Sequence, residues 1–242
     1  MRGPVTVAGA GMAGLVAAVR LRELGVETVV LEKGTRAGGS MLLSSCVVWR
    51  FRTAEEFARE CPAGDLEEFY GRALPAPPAH VDETRFVELT QLYGRFATAV
   101  DEDGEEFFLG PVSWSENDLV QAIARQPGAT AWYVLDPAVL AERVRDRTVG
   151  EMVDAAQAAG GQVRRLEDGR LSVHVAPGVT HTIGGVRVEA GARVLTAEGV
   201  PVDGLYAAGA DVGGISSGGY ASGLASALVL GLAAAESAAA ET

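Results

Sequence analysis

Residues 4–32 carry a pattern that few folds accommodate: a short apolar strand, a glycine turn, a helix, and a second strand ending in an acid. Pro4 to Ala8 read as the first strand. Gly9-Ala10-Gly11-Met12-Ala13-Gly14 turns into an Ala- and Leu-rich helix of residues 12–24, and Val26 to Leu31 form the second strand, closed by Glu32. Each glycine has its own task. Gly9 lets the chain turn tightly, Gly11 lets backbone N–H groups approach a pyrophosphate at the helix N-terminus, and Gly14 lets helix and strand pack closely. Glu32 stands about 20 residues further on, where a carboxylate accepts hydrogen bonds from both hydroxyls of an adenosine ribose and repels a 2′-phosphate. The glycines alone are a weak signal. Strand, helix and terminal acid in register make an adenine dinucleotide site the expectation, with Met12 and Ala13 opening the helix beneath it.

The 242 residues suffice for one nucleotide-binding domain and a small insertion around a well-buried core. A net charge of −12, with acids scattered through the middle of the chain, argues against nucleic acid or an anionic membrane surface as partner. Cys46 and Cys61 are too few for a disulfide framework and lack the spacing of a metal site or redox pair, so structural thiols and no metal are expected. The first residues lack the basic start and small-residue cleavage site of a signal peptide, which points to the cytoplasm. Ala221 to Ala235 have the composition of a membrane span. Their Gly and Ser content and their place after a glycine turn favour a buried helix.

A second glycine loop follows the acid. Lys33-Gly34-Thr35-Arg36-Ala37-Gly38-Gly39-Ser40, then Ser44 and Ser45, offers further donors to a pyrophosphate, which FAD-binding units use and NAD-binding ones usually do not need. Near the other end, Val202 to Asp211 reads as a turn, a short strand and a glycine-acid end. Gly213-Gly214 follows, with a small-residue helix opening near Gly218-Gly219. Such a strand and helix can return beside the first unit. Gly209 and Asp211 would then meet ribitol or phosphate, and the helix N-terminus, with Gly223 and Leu224, would point at the flavin carbonyls.

The fragments EKGTRAGGS, HTIGGVRV and GLYAAGADVGG resemble the signatures of the fumarate reductase and succinate dehydrogenase flavoprotein family, which includes the 3-ketosteroid dehydrogenases. The resemblance covers nearly the whole chain. It implies an α/β fold, a Rossmann-like FAD-binding domain discontinuous in sequence (residues 1–90 and 167–242), with a small α+β cap (91–166) inserted and the substrate between cap and isoalloxazine. Asp101 to Phe108, DEDGEEFF, resembles the cap segment that usually reads G-x-R-F, with Glu106 where Arg is expected, and NDLVQAIARQPGATAWYVLD resembles the cap helix and strand that follow.

The departures are equally informative. Members of the family are commonly about twice as long, and the part missing lies between roughly residues 70 and 90, where others carry a β-meander and a core strand. A natural miniature, a chain completed by a partner subunit and a decayed relative all fit this loss. The stretch Ala73 to Ala79, rich in proline, reads as a stiff linker unable to pair in a sheet.

Dehydrogenation beside a carbonyl needs a group to polarise the oxygen and a base for the adjacent proton. In the family's dicarboxylate reductases two arginines and a histidine clamp the carboxylates. The histidine motif is matched by His181-Thr182-Ile183-Gly184-Gly185, while the arginine positions fall on Tyr93, by counting back from Gly104, and on Tyr220. A neutral phenol cannot neutralise a dicarboxylate, but it can donate to a ketone oxygen. Gly219-Tyr220-Ala221-Ser222-Gly223 is similar to the Tyr-x-Ser-Gly segment of ketosteroid dehydrogenases. The resemblance therefore implies Tyr220 as carbonyl polariser, Tyr93 with Ser222 for proton transfer, and His181 on the flavin-facing floor.

Plainer roles stand beside these. Tyr93 also fits as an amphipathic packing residue with its hydroxyl at the surface, and His181 as a turn cap. His80 and His174 have no companions at ligand spacing. Trp114, Trp132 and Tyr133 read as cap packing, with Tyr133 also suited to line a cleft, and Glu55-Glu56 and Asp101 to Asp103 as solvated faces or turns. No histidine lies near Ser40 to Ser45, where some relatives attach flavin, so non-covalent FAD is expected. No second GxGxxG for NAD(P)H is present, so an external electron donor or acceptor is required. The reading is an FAD-dependent oxidoreductase acting on a CH–CH or C=C bond next to a ketone of a hydrophobic small molecule. The alternatives are a shortened subunit in a homo- or hetero-oligomer and an FAD-binding protein without redox turnover.

Overall fold

The structure is a computed structural model. It describes residues 3–44, 48, 52–53, 55–56, 69–76, 85–113, 115–215 and 223–242. By internal contacts the chain divides into two units, Met1–Glu68 with His181–Thr242, and Phe69–Thr180. The two joins fall at 68/69 and 180/181 rather than at the expected 90/91 and 166/167, and sheet pairing is the reason.

In unit 1, β1 (Val5–Ala8) pairs in parallel with β2 (Thr28–Leu31), Val5 opposite Thr28 and Ala8 opposite Leu31. Helix α1 (Met12–Glu23) makes the crossover between them and ends at Leu24-Gly25. Both strands and the helix lie within a residue or two of where the apolar pattern puts them. β10 (Arg193–Leu195) and β11 (Pro201–Tyr206) form an antiparallel pair, and the last helix, α5 (Gly223–Glu241), packs along α1. Its buried stripe is Ala227, Gly231, Ala234, Ala235 and Ala238. Ala235 and Ala238 join Ala17 and Leu21 of α1 in a core flanked by Val5, Val7, Val26 and Tyr206, and Arg20 of α1 pairs with Glu236 at 2.8 Å. By length and composition α5 is apolar enough to cross a membrane. Its small-residue face is committed to α1.

Unit 2 holds a five-stranded sheet in the order β3 (Phe69–Pro75), β9 (Leu171–Thr182), β5 (Ala131–Leu135), β4 (Thr98–Val100), with β8 (Val163–Arg165) also paired to β9, and a two-residue antiparallel pair, β6 (Arg143–Val144) with β7 (Arg147–Thr148). Ala73 to Pro75 therefore lie in a strand and not in a linker. A single proline at the strand end forfeits one ladder bond, and Ala73, Leu74 and Ala76 are buried, with the Ala76 N–H bonded to the His174 carbonyl at 2.9 Å. Pro77 to Ala79 lie outside the described residues.

The four-residue α2 (Phe86–Leu89), α3 (Asn117–Ala124) and α4 (Val149–Ala158) complete the unit. A capping box starts α4: the Thr148 hydroxyl accepts from the Glu151 amide at 3.1 Å and the Glu151 carboxylate accepts from the Thr148 amide at 2.6 Å. Ala131, Tyr133 and Leu135 of β5 point into one core with Leu119 and Ile123 of α3 and Met152 and Val153 of α4. On the opposite face Trp132 stacks on His174 at 4.3 Å between ring centroids, and the Arg164 guanidinium lies 4.0 Å from the Trp132 ring. The Asp101–Gly104 turn adds Glu102, whose carboxylate meets Trp132 Nε1, Thr130 Oγ1 and His174 Nε2.

Candidate flavin site

The first glycine loop has the shape its residues demand. Gly9 adopts φ +98°, a conformation that only glycine enters freely. A Cβ on Gly14 would run into the Gly9 carbonyl oxygen and come within 3.1 Å of Val7 Cγ1, so helix and strand meet at a spacing only a hydrogen allows. Gly11 precedes α1 without a side chain to cap it, and the first-turn amides, those of Met12 and Ala13 among them, are left as anion donors.

The second loop rests on the first. Gly38 forms a parallel bridge with Gly11, and its N–H donates to the Ala10 carbonyl at 2.8 Å. Glu32 ties the two together. One carboxylate oxygen accepts from the Ala10 N–H at 2.7 Å and the other from the Gly34 N–H at 2.6 Å. These amides, Gly34 first and Ala10 next, hold its carboxyl below the usual carboxylate range. Gly39 to Leu43 follow as a 3₁₀ turn carrying Ser40, with Ser44 at its end, and Lys33 sits between the acid and the loop.

The motifs at residues 181–185 and 209–214 also come together. The Val186 N–H donates to the Asp211 carbonyl at 2.8 Å, and the Gly213 N–H donates to the Val186 carbonyl at 3.1 Å. A Cβ on Gly185 would collide with the Asp211 carbonyl and lie 2.6 Å from the Gly213 nitrogen. Gly209 opens a 3₁₀ turn that ends at Asp211. The His181 imidazole lies against the first residue of α5, its Cε1 and Nδ1 each 3.5 Å from where a Gly223 Cβ would be, with Leu224 next in the helix. Burial lowers its pKa, so the ring is neutral at neutral pH.

Tyr93 is elsewhere. It belongs to the unit 2 core, is fully buried, meets Tyr133 edge-on at 5.8 Å, and donates its hydroxyl to Gln91 Oε1 at 2.7 Å. Desolvation drives its pKa upward, so the proton-transfer assignment is corrected to packing, with the hydroxyl satisfied internally rather than at a surface. The ungapped count to position 93 crossed a shortened cap. Tyr133 is buried as well and lines no surface. Tyr220, Ser222, Ser45, Cys46, Cys61, His80 and Trp114 lie outside the described residues. Among the described residues no group of His, Cys, Asp or Glu is arranged to hold a metal.

Comparison with known proteins decides what the two loops serve. The profile of an FAD binding domain family matches residues 75–226, and that of an NAD(P)-binding Rossmann-like domain matches residues 7–45. The chain belongs to the FAD-dependent fumarate reductase and succinate dehydrogenase flavoprotein family. FAD is thus its cofactor. The residues fit that group: a steric cradle at Gly9 to Gly14, an uncapped helix N-terminus, an anchored acid and a backbone-tight second loop. Among relatives of this flavoprotein, the probable fumarate reductase Ifc3 of Shewanella frigidimarina (strain NCIMB 400) is 27% identical over 59% of this chain and 30% of its own length. The NADH:fumarate oxidoreductase of Klebsiella pneumoniae (strain 342) is 47% identical over 19% of this chain and 5% of its own. The chain spans less than a third of either relative. The 3-ketosteroid-Δ4-(5α)-dehydrogenase of Rhodococcus jostii RHA1, solved with 4-androstene-3,17-dione, shares the fold at a TM-score of 0.56 and 13% identity, covering 97% of this chain and 96% of that one.

Sequence reasoning missed the contact between Gly185 and Gly213. The paired glycines were visible, but nothing in their spacing announces that two loops 28 positions apart in the chain touch backbone to backbone.

Proposed function

We propose that the flavoprotein is an FAD-dependent oxidoreductase that forms or reduces a carbon–carbon double bond next to a ketone in a hydrophobic small molecule. The observation that carries this reading is the chemistry of the histidine motif. His181 is uncharged at neutral pH, beside a helix N-terminus that further disfavours a cation. The family arginine position that falls on Tyr220 holds a tyrosine here. A dicarboxylate would find no cation at these two positions, whereas a ketone needs only neutral donors. The dehydrogenase from Rhodococcus jostii, solved with a 3-ketosteroid, supports the substrate class.

Gly9, Gly11, Met12, Ala13 and Gly14 would hold the pyrophosphate, Glu32 and Lys33 the adenosine side, and Gly38, Gly39, Ser40, Ser44 and Ser45 the second loop. Gly209, Asp211, Gly223 and Leu224 would serve the ribitol and ring end. Bound without a covalent link, FAD supplies hydride transfer at its ring. The Tyr220 hydroxyl donates to the ketone oxygen and Ser222 relays the proton at the adjacent carbon, while His181 orients the substrate from the floor. Tyr220→Phe tests this. Anaerobic reduction of the flavin by 3-ketosteroids should slow about 100-fold with FAD still bound; unchanged turnover removes the polarising role.

A second reading, a subunit completed by a partner chain, is favoured by β2. Val29, Val30 and Leu31 are 42%, 38% and 57% exposed on a parallel strand, a class usually covered on both faces. Sedimentation of the purified protein separates the two readings: a monomer with turnover supports the first, an inactive monomer the second.

A further inference from the structure

We propose that Glu116 and Tyr133 form a proton-controlled switch inside unit 2, in which ionisation of the Glu116 carboxyl draws in the Tyr133 hydroxyl. The proposal stands apart from the flavin reading.

Four observations meet at this point. Glu116 caps α3 at φ +56°, a left-handed conformation that a long side chain adopts only when its surroundings hold it there. It is 5% exposed, and its Oε2 accepts from the Gly94 N–H at 3.1 Å. Tyr133 is wholly buried, yet its hydroxyl makes no hydrogen bond. A Cβ on Gly94 would lie 2.5 Å from Leu119 Cδ2, 3.2 Å from Glu116 Oε2 and 3.3 Å from the Tyr133 hydroxyl oxygen, so both oxygens border the space beside Gly94. The φ of Gly94 is not positive. Space, and not backbone conformation, requires the glycine.

An unpaired hydroxyl in a protein interior is costly and calls for a physical reason. With Glu116 protonated, its Oε2 accepts from the Gly94 amide and the Tyr133 hydroxyl makes no hydrogen bond. Once the proton leaves for bulk solvent, the carboxylate has further lone pairs to fill, and the Tyr133 O–H is the idle donor beside it. Every charge facing the pair bears on the balance: Arg72 from β3, Arg95 from the 94–96 turn, Asp118 on α3 and the Tyr93 phenol. Burial pushes the Glu116 carboxyl up to about 7, while the Gly94 amide and the Arg72 guanidinium restrain it, so both forms are populated around neutrality.

Infrared difference spectra and thermal unfolding of the full chain, titrated from about pH 5 to about pH 9, test the switch with Glu116→Gln and Tyr133→Phe. The wild type should lose a buried carboxylic-acid carbonyl band as the pH rises through neutrality, and E116Q should lack that band. Y133F should titrate about one pH unit higher, because the anion has lost the Tyr133 donor. A band that persists in E116Q, or a Y133F protein titrating where the wild type does, overturns the proposal. Y133F alone decides it if E116Q fails to fold.

Discussion

Gly185 and Gly213 touch backbone to backbone: a methyl group on either would lie 2.6 Å from the amide nitrogen of the other. The contact joins the histidine motif to the loop after β11, and so places His181, Asp211 and the start of α5 in one framework. Gly185→Ala should force the two loops apart. We expect a loss of about 1–3 kcal/mol in stability and weaker FAD retention, read by thermal unfolding and by flavin fluorescence on titration.

Gly14→Ala places a methyl group against the Gly9 carbonyl, where neither backbone can yield without breaking the strand–helix junction. The expected outcome is loss of FAD binding by at least about tenfold with a lower Tm. Retention of wild-type affinity would mean that this loop does not grip the pyrophosphate.

Glu32→Gln removes an anion held by two amides. Because the folded carboxyl is held below its ordinary 4.5, its contribution is present above that value and is lost as the pH falls through the lower folded one. The wild-type loop should therefore loosen only in acid, with faster exchange of the Ala10 and Gly34 amides. The variant should show that exchange at neutral pH and bind FAD about tenfold to a hundredfold more weakly.

Tyr93→Phe separates packing from catalysis. Losing the bond to Gln91 in a closed core should cost about 1 kcal/mol, while flavin reduction by a ketosteroid stays near the wild-type rate. A drop of about 100-fold with the fold intact would restore the proton-transfer role.

The sequence made the dinucleotide half legible because strand, turn and helix there are local. Positions 4–32 carry their own periodicity, and Glu32 falls where the second strand must end. Unit 2 was harder. Pro75 hid a buried strand, since one proline reads as a break when the long partner strand 100 residues downstream is out of view. Tyr93 was misplaced because counting residues assumes a cap of unaltered length. Glu116 gave no signal at all: a glutamate in a polar run such as Ser113 to Asp118 is normally solvated, and only the fold reveals that this one turns inward.

The interleaving of the two units has a consequence for biosynthesis. Unit 2 is one continuous stretch, so it can condense while the ribosome is still adding residues. Helix α1 meets its packing partner only after residues 223–241 have been made. The nascent α1 must therefore wait, its apolar face uncovered, until α5 docks. Any premature stop before that point yields a chain with a finished insert and an unfinished host.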